Sequence, residues 1–331
     1  MKEVNLFIFS SKMKEYFKYS FYTVLFLLGI FICVDFTLKL IYENTFEGQS
    51  GGKINNLLKN HKRVQILAVG DSRCAKHIKP SILGSNNYNL SHNGQSLIFH
   101  TGLLDQIIKN EQVEIDTILL NIDIDELSFS NKKKEFDINS LKYFYNKNTW
   151  IKEKINILST KEKYKFWFPL YKWNGNVPSL VSNCFFKEHI SIDGFTPTLA
   201  SEMDSINVSW QMKKLNNHEG KKNYSVSKKC ELYLKHINQI CQENSIEFIC
   251  YISPTFNQPK LLNSQIKELH TFFSANNIPL LDYSNEYYSN TELKFIWNWT
   301  DVFHLNSEGS KILTLKIRKD LNNLRPFFTI K

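Results

Sequence analysis

Val64-Gln65-Ile66-Leu67-Ala68-Val69-Gly70, followed at once by Asp71-Ser72, is the stretch on which the fold turns. Gln65 is its single polar side chain before the Asp, and a nearly unbroken apolar run of this kind reads as a strand buried on both faces of a parallel sheet. Comparable runs recur at 88–90, 117–124 (TILLNIDI), 247–253 (EFICYIS) and 278–283 (IPLLDY). Between them, over 96–109, 228–243, 262–275 and 307–321, apolar residues fall at helical spacing, as Ile312, Leu313, Leu315 and Ile317 illustrate. Strand and helix alternate, so the pattern predicts an α/β fold with a doubly wound, parallel, five-stranded sheet. Ser72 then falls at the carboxyl end of the first strand, where open α/β sheets bind ligands.

Composition narrows the class. The 331 residues are 42% hydrophobic and 14% aromatic with only twelve Gly and eight Pro, which excludes disorder and collagen-like repeats. The net charge of +9 comes from lysines scattered among Asn, Ile and Phe, so it marks no nucleic-acid partner.

Tyr19 to Val34 carries no charge, and with Asp35 and Lys39 at the boundary the apolar helix continues through Tyr42. That spans a bilayer if the two charged side chains snorkel. No small-x-small site follows Val34, and no small residue stands next to Cys33 on its N-terminal side, so a transmembrane anchor that stays uncleaved is expected over 19–42. Lys2, Lys12, Lys14 and Lys18 precede the span and Glu43 and Glu47 follow it. The positive-inside bias then puts residues 1–18 in the cytoplasm and the main domain on the extracytoplasmic side of the cell membrane. A polar, glycine-containing linker is expected over 43–62 and the folded domain over 63–331.

Residues 130–227 interrupt the alternation and are rich in Lys, Asn and aromatics, among them Trp150, Trp167, Phe168, Tyr171, Trp173 and Trp210. They read as a helical insertion that either buries its own aromatics or stacks them on a substrate such as a sugar ring. Cys33 lies in the span and reads as a buried thiol. The other five cysteines lie outside it, so at least one stays unpaired. Cys230 and Cys241 share a predicted helix at about 16 Å, too far to bridge, which leaves Cys241 with Cys250 as the local pair to test. No P-loop, GxGxxG, HExxH or paired CxxC occurs, so neither a nucleotide cofactor nor a metal has support.

A second chemical signal lies near the C-terminus, where Asp301-Val302-Phe303-His304-Leu305-Asn306 puts an Asp three residues before a His. At that spacing a loop Asp orients the imidazole and leaves its other nitrogen free to take a serine proton. A packed or capping His is the alternative for His304, and a helix cap the alternative for Gly70-Asp71-Ser72.

Together, GDS after the first strand and DxxHLN after the last resemble the SGNH (GDSL-type) hydrolase superfamily, over roughly 64–130 and 228–321. The resemblance implies a three-layer α/β/α, flavodoxin-like core and a catalytic triad of Ser72 as nucleophile, His304 and Asp301, with no cofactor. It also implies an oxyanion hole built from the Ser72 amide and Gly94, the latter in Asn89-Leu90-Ser91-His92-Asn93-Gly94. The third block departs from the family's GxND. It reads Asn121-Ile122-Asp123-Ile124-Asp125-Glu126 and puts Asp125 at the Asn position, where an ionised carboxylate repels an oxyanion. Losing one donor of three costs about two to three orders of magnitude in rate.

In layout the chain is similar to the membrane-anchored DltD and AlgJ/AlgX group, which works beside membrane-bound O-acyltransferases. Arg73, Lys79-Pro80 and the Asp-Gly-Phe at 193–195 are compatible with that group. The resemblance implies a serine esterase or O-acyltransferase acting on acyl esters, acetyl first among them, of a cell-envelope or exported polysaccharide, with a membrane-bound O-acyltransferase as partner. Two alternatives stay open: a catalytically silent glycan-binding or scaffold subunit of such a complex, and an unrelated α/β binding domain in which Ser72 and His304 lie far apart.

Overall fold

In the computed structural model the described residues are 2–49, 51–110, 112–128, 132–159, 161–185, 193–199, 201–215, 223–257 and 260–324. Ser130, the expected start of the insertion, and the Cys184 side chain lie outside them. The chain is an α/β protein with an N-terminal apolar helix, α1 (Lys2–Glu43), and five strands: β1 (Arg63–Val69), β2 (Asn87–Asn89), β3 (Glu114–Ile122), β4 (Glu247–Ile252) and β5 (Leu280–Asp282). All four pairings are parallel and the sheet order is β2-β1-β3-β4-β5. The order reverses between β1 and β3, so the crevice at their carboxyl ends is the topological switch point of the sheet.

Strand periodicity sends alternate side chains to opposite faces. Leu67 and Val69 of β1, with Ile118 and Leu120 of β3, enter one core beneath the helices Leu97–Lys109 and Lys228–Glu243. Ile66 and Ala68, with Leu119, Ile249 and Tyr251, enter the other, beneath the last helix Ser307–Leu324. Both faces are thus apolar and covered, which is why the strand sequences read as unbroken hydrophobic runs.

The expected linker differs from the structure. Residues 52–60 fold as helix α2 (Gly52–Asn60), which buries Lys53, Ile54, Asn55 and Leu57. The glycines and asparagines masked an Ile54–Leu57–Leu58 helical stripe, and Asn55 ties the helix to the end of α1 by donating to the carbonyls of Tyr42 and Thr45. α1 contains a stretch, Met13–Glu43, long and apolar enough to cross a membrane, and its residues from Met13 to Val34 are exposed.

Between β3 and the helix Lys228–Glu243 the described residues include the longer helices Thr149–Leu158, Val177–Phe185 and Glu202–Leu215, the short ones Ile124–Ser128, Lys132–Glu135 and Glu162–Lys165, and the 3-10 turns Phe136–Phe144 and Pro169–Trp173. Trp173 is fully buried and Trp150 stacks on His236, whereas Trp167, Phe168 and Trp210 are exposed. Cys241 and Cys250 are both buried free thiols, so the pair proposed from sequence is not bridged. Cys33 lies exposed on the α1 surface rather than buried.

Candidate active site

The site begins with the turn out of β1. Gly70 has φ +155°, and a Cβ there would meet the Cβ atoms of Asn121 at 2.6 Å and Cys74 at 2.8 Å. Only glycine lets β1 end this close to β3 and turn at once into a helix. That helix, α3 (Ser72–His77), is capped by Asp71, whose side chain accepts from the Arg73 amide at 2.9 Å. Ser72 is therefore the first helical residue at the switch point.

The far half of the site is the segment before the last helix. Trp299 and Leu305 form an antiparallel bridge, and Thr300 N–H donates to the His304 carbonyl at 2.9 Å. Asn306 caps the helix by accepting from the amides of Glu308 and Gly309, both at 3.1 Å. The loop so pinned aims His304 at α3: Ser72 Oγ lies 2.8 Å from His304 Nε2. Behind the ring, His304 Nδ1 is 2.8 Å and 2.9 Å from the two Asp301 carboxylate oxygens. Asp301 Oδ1 also accepts the amides of Phe303 and His304 at 2.8 and 2.9 Å. Burial pushes the Asp301 carboxyl up, and these bonds, His304 foremost, outweigh it, so its pKa lies below the ordinary value. An ionised Asp301 accepting from Nδ1–H leaves Nε2 as the acceptor for the serine hydroxyl, the arrangement a general base requires.

The sequence motifs left out His77. At the last position of α3 it is fully buried; its Nε2 accepts the Leu305 amide at 3.1 Å, so its Nδ1–H donates to Ser253 Oγ, also at 3.1 Å. Burial, then repulsion from His304, lowers its pKa well below the ordinary value and keeps it neutral. The two rings lie 6.5 Å apart. His77 thus ties the helix that carries Ser72 to the residue that follows His304. Its only signal in the sequence is a position five residues after the serine.

The loop after β2 is fastened to the same edge. His92 N–H donates to the Gly70 carbonyl at 2.9 Å and Leu90 N–H to the Ala68 carbonyl at 2.8 Å. Asn89 donates to the Cys74 and Ile78 carbonyls at 2.9 and 2.8 Å, capping the end of α3. From α2, Lys53 Nζ donates to the Ser91 carbonyl at 3.1 Å. Gly94, with φ +69°, is exposed at the tip of this loop, with open space where a side chain would stand. Gly194 explains the Asp-Gly-Phe signal: a Cβ there would meet the Asn89 carbonyl oxygen at 2.0 Å, where the chain runs against β2 and Asn89 N–H donates to the Asp193 carbonyl.

The carboxyl end of β3 is acidic. Asp123 binds Arg73, Nη2 to Oδ2 at 2.6 Å, which clamps the ends of β3 and β1 together. Asp125 is exposed on the short helix Ile124–Ser128. Asn121 is buried and spends its amide on Ser253 Oγ at 2.9 Å. A narrow cleft opens here among Asp71, Gln95, His100, Asn121, Asp123 and Glu126. The buried oxygens of Gln95 and Asn121 have no hydrogen-bond partner among the described residues.

No protein-family model matches the chain, and no curated protein does.

Proposed function

We propose that this chain is a membrane-anchored serine esterase or O-acyltransferase of the SGNH type, acting on acyl esters of an extracytoplasmic polysaccharide. The observation that carries the reading is the hydrogen-bonded series Ser72–His304–Asp301, assembled from segments 229 or more residues apart in sequence at the switch point of a parallel sheet. Chance packing seldom aligns a serine, an imidazole and a carboxylate in this order at a ligand-binding crevice. The three-layer α/β/α core with a helical insertion over 130–227 belongs to the same reading, as does an N-terminus in the cytoplasm, supported by Lys14 and Lys18 ahead of the span.

In the mechanism, Ser72 Oγ attacks the acyl carbonyl while His304 Nε2 takes its proton, and Asp301 holds the imidazolium that forms. The oxyanion is met by the amides of Ser72 and Gly94. The sugar oxygen leaves with the proton from His304, giving an acyl-serine. Water or a second hydroxyl then attacks, His304 now acting as base, and the serine is regenerated. The unpaired oxygens of Gln95 and Asn121 suit a hydroxyl-rich ligand, which satisfies them by donating.

One observation favours the silent-subunit reading: with Asn121 engaged by Ser253, and Asp123 and Asp125 at the end of β3, no side-chain amide is offered as a third oxyanion donor there. Incubating the full chain with an acetylated polysaccharide and measuring released acetate separates the two. The enzyme reading expects release of acetate, or its transfer to an added acceptor oligosaccharide, that Ser72→Ala abolishes, and background in both measurements for both proteins overturns it.

A further inference from the structure

The segment 161–173 carries a surface that the site does not use. Trp167 is 79% exposed, Phe168 68% and Tyr164 51%. Three large aromatics side by side in water form the kind of apolar patch that marks an interaction surface. Tyr164, Phe168 and Leu170 line an open apolar hollow, and Lys161, Lys163 and Lys165 are interleaved with them, opposed by Glu162 alone.

The turn Pro169–Trp173, on which this segment packs through Phe166 and Tyr171, is held by α1. Lys172 Nζ pairs with Asp35 at 2.9 Å and Trp173 Nε1 donates to the other Asp35 oxygen at 2.6 Å. The Trp173 ring lies 5.7 Å from Tyr42, and Leu38 and Ile41 pack against the domain core. α1 is therefore gripped from Asp35 to Tyr42, whereas the uncharged turns from Tyr19 to Val34 stay bare, with Phe26 and Ile32 among their most exposed side chains. Asp35 is the first charge after that run, so it marks the level at which hydrocarbon gives way to headgroups. The 3-10 turn that binds Asp35 sits at that level, and the exposed aromatics immediately precede it in the chain.

We propose that Tyr164, Trp167 and Phe168 are a second membrane contact, dipping into the interface of the bilayer that α1 spans, with Lys161 and Lys163 reaching lipid phosphates. The composition is that of an interfacial belt: amphipathic aromatic rings at headgroup depth flanked by lysines, which anionic lipid attracts. Continuity with the span selects lipid as the occupant, since a face fixed beside a helix at its exit from the bilayer meets headgroups first. The domain is thereby attached at two points, which fixes its tilt on the membrane. This inference rests on α1 crossing a bilayer and is independent of any catalysis by Ser72.

The test uses the full chain in vesicles of phosphatidylcholine and phosphatidylglycerol, part of the lipid brominated high in its acyl chains, with tryptophan emission as the readout. Trp167→Phe is expected to lose most of the bromine-dependent quenching. Trp210→Phe and Trp297→Phe, which remove other exposed indoles, should retain it, and Phe168→Trp added to Trp167→Phe should restore it. Quenching unchanged by Trp167→Phe overturns the proposal. So does an unquenched wild type that remains vesicle-bound, a result that leaves the patch facing water or a protein partner.

Discussion

The amide of Leu305 donates to Nε2 of His77 at 3.1 Å, across 228 positions of sequence. Leu305 follows His304 and His77 ends the helix that Ser72 begins, so one buried imidazole sets the spacing between the two groups that would exchange a proton. Ser253 Oγ supports the ring from the other side and is itself held by Asn121, so the ends of β3 and β4 and both halves of the site share one buried polar chain.

Replacing His77 should therefore act through His304. His77→Ala is expected to lower kcat about 10- to 100-fold with little change in KM, since small misplacements of reacting groups carry costs of that order. The buried Leu305 amide left without an acceptor should cost about 1–3 kcal/mol of stability. His77→Gln, which offers both an acceptor and a donor, should recover part of each loss in ester-hydrolysis kinetics and urea denaturation.

Asp301→Asn should preserve the fold and remove the charge behind His304. The amide can donate to Nδ1 and favour the wrong tautomer, and kcat should fall by about four orders of magnitude, read in the same ester assay.

Stability should fall in acid. Burial lowers the pKa of His77 well below its ordinary value, that of His92 to about 3 and that of His100 to about 4. Between pH 6.5 and 4 the unfolded chain therefore binds more protons than the folded one, so stability is lost as pH falls through that window. Three such groups give a limiting slope of roughly 4 kcal/mol per pH unit. Urea midpoints measured at steps from pH 7.5 to 4.5 test this, and His100→Gln should reduce the slope by about one proton.

Arg73 and Asp123 form a largely buried pair that joins β1 to β3 beside the serine. Arg73→Ala leaves Asp123 without its counter-charge and should destabilise by about 3 kcal/mol, while Arg73→Lys, shorter and not forked, should recover only part of it. Thermal unfolding in detergent distinguishes the three proteins.

Much of the framework was legible because the chemistry that builds it is local. The continuous run at β1 announced a doubly covered strand, the apolar spacing over 96–109, 228–243 and 307–321 announced helices, and Gly70-Asp71-Ser72 combined a close approach with a cap in three residues. What escaped depends on distant contacts. His77 has no motif because its role is defined by Leu305 and Ser253. The helix α2 was hidden because its stripe is short and its asparagine works as a buried donor to α1. At β3, strand alignment put Asp125 forward, while the structure sets Asp123 against Arg73 and leaves Asp125 exposed, a choice made by the turn of Ile124–Ser128 and by the partner across the sheet.

An activated Ser72 should be labelled in the full chain by a fluorophosphonate probe, which reacts with the nucleophilic hydroxyl itself. Labelling of the wild type that maps to Ser72 and disappears in both Ser72→Ala and His304→Ala is the expected result. A folded wild type that takes up no probe, or label that persists in Ser72→Ala, would contradict it.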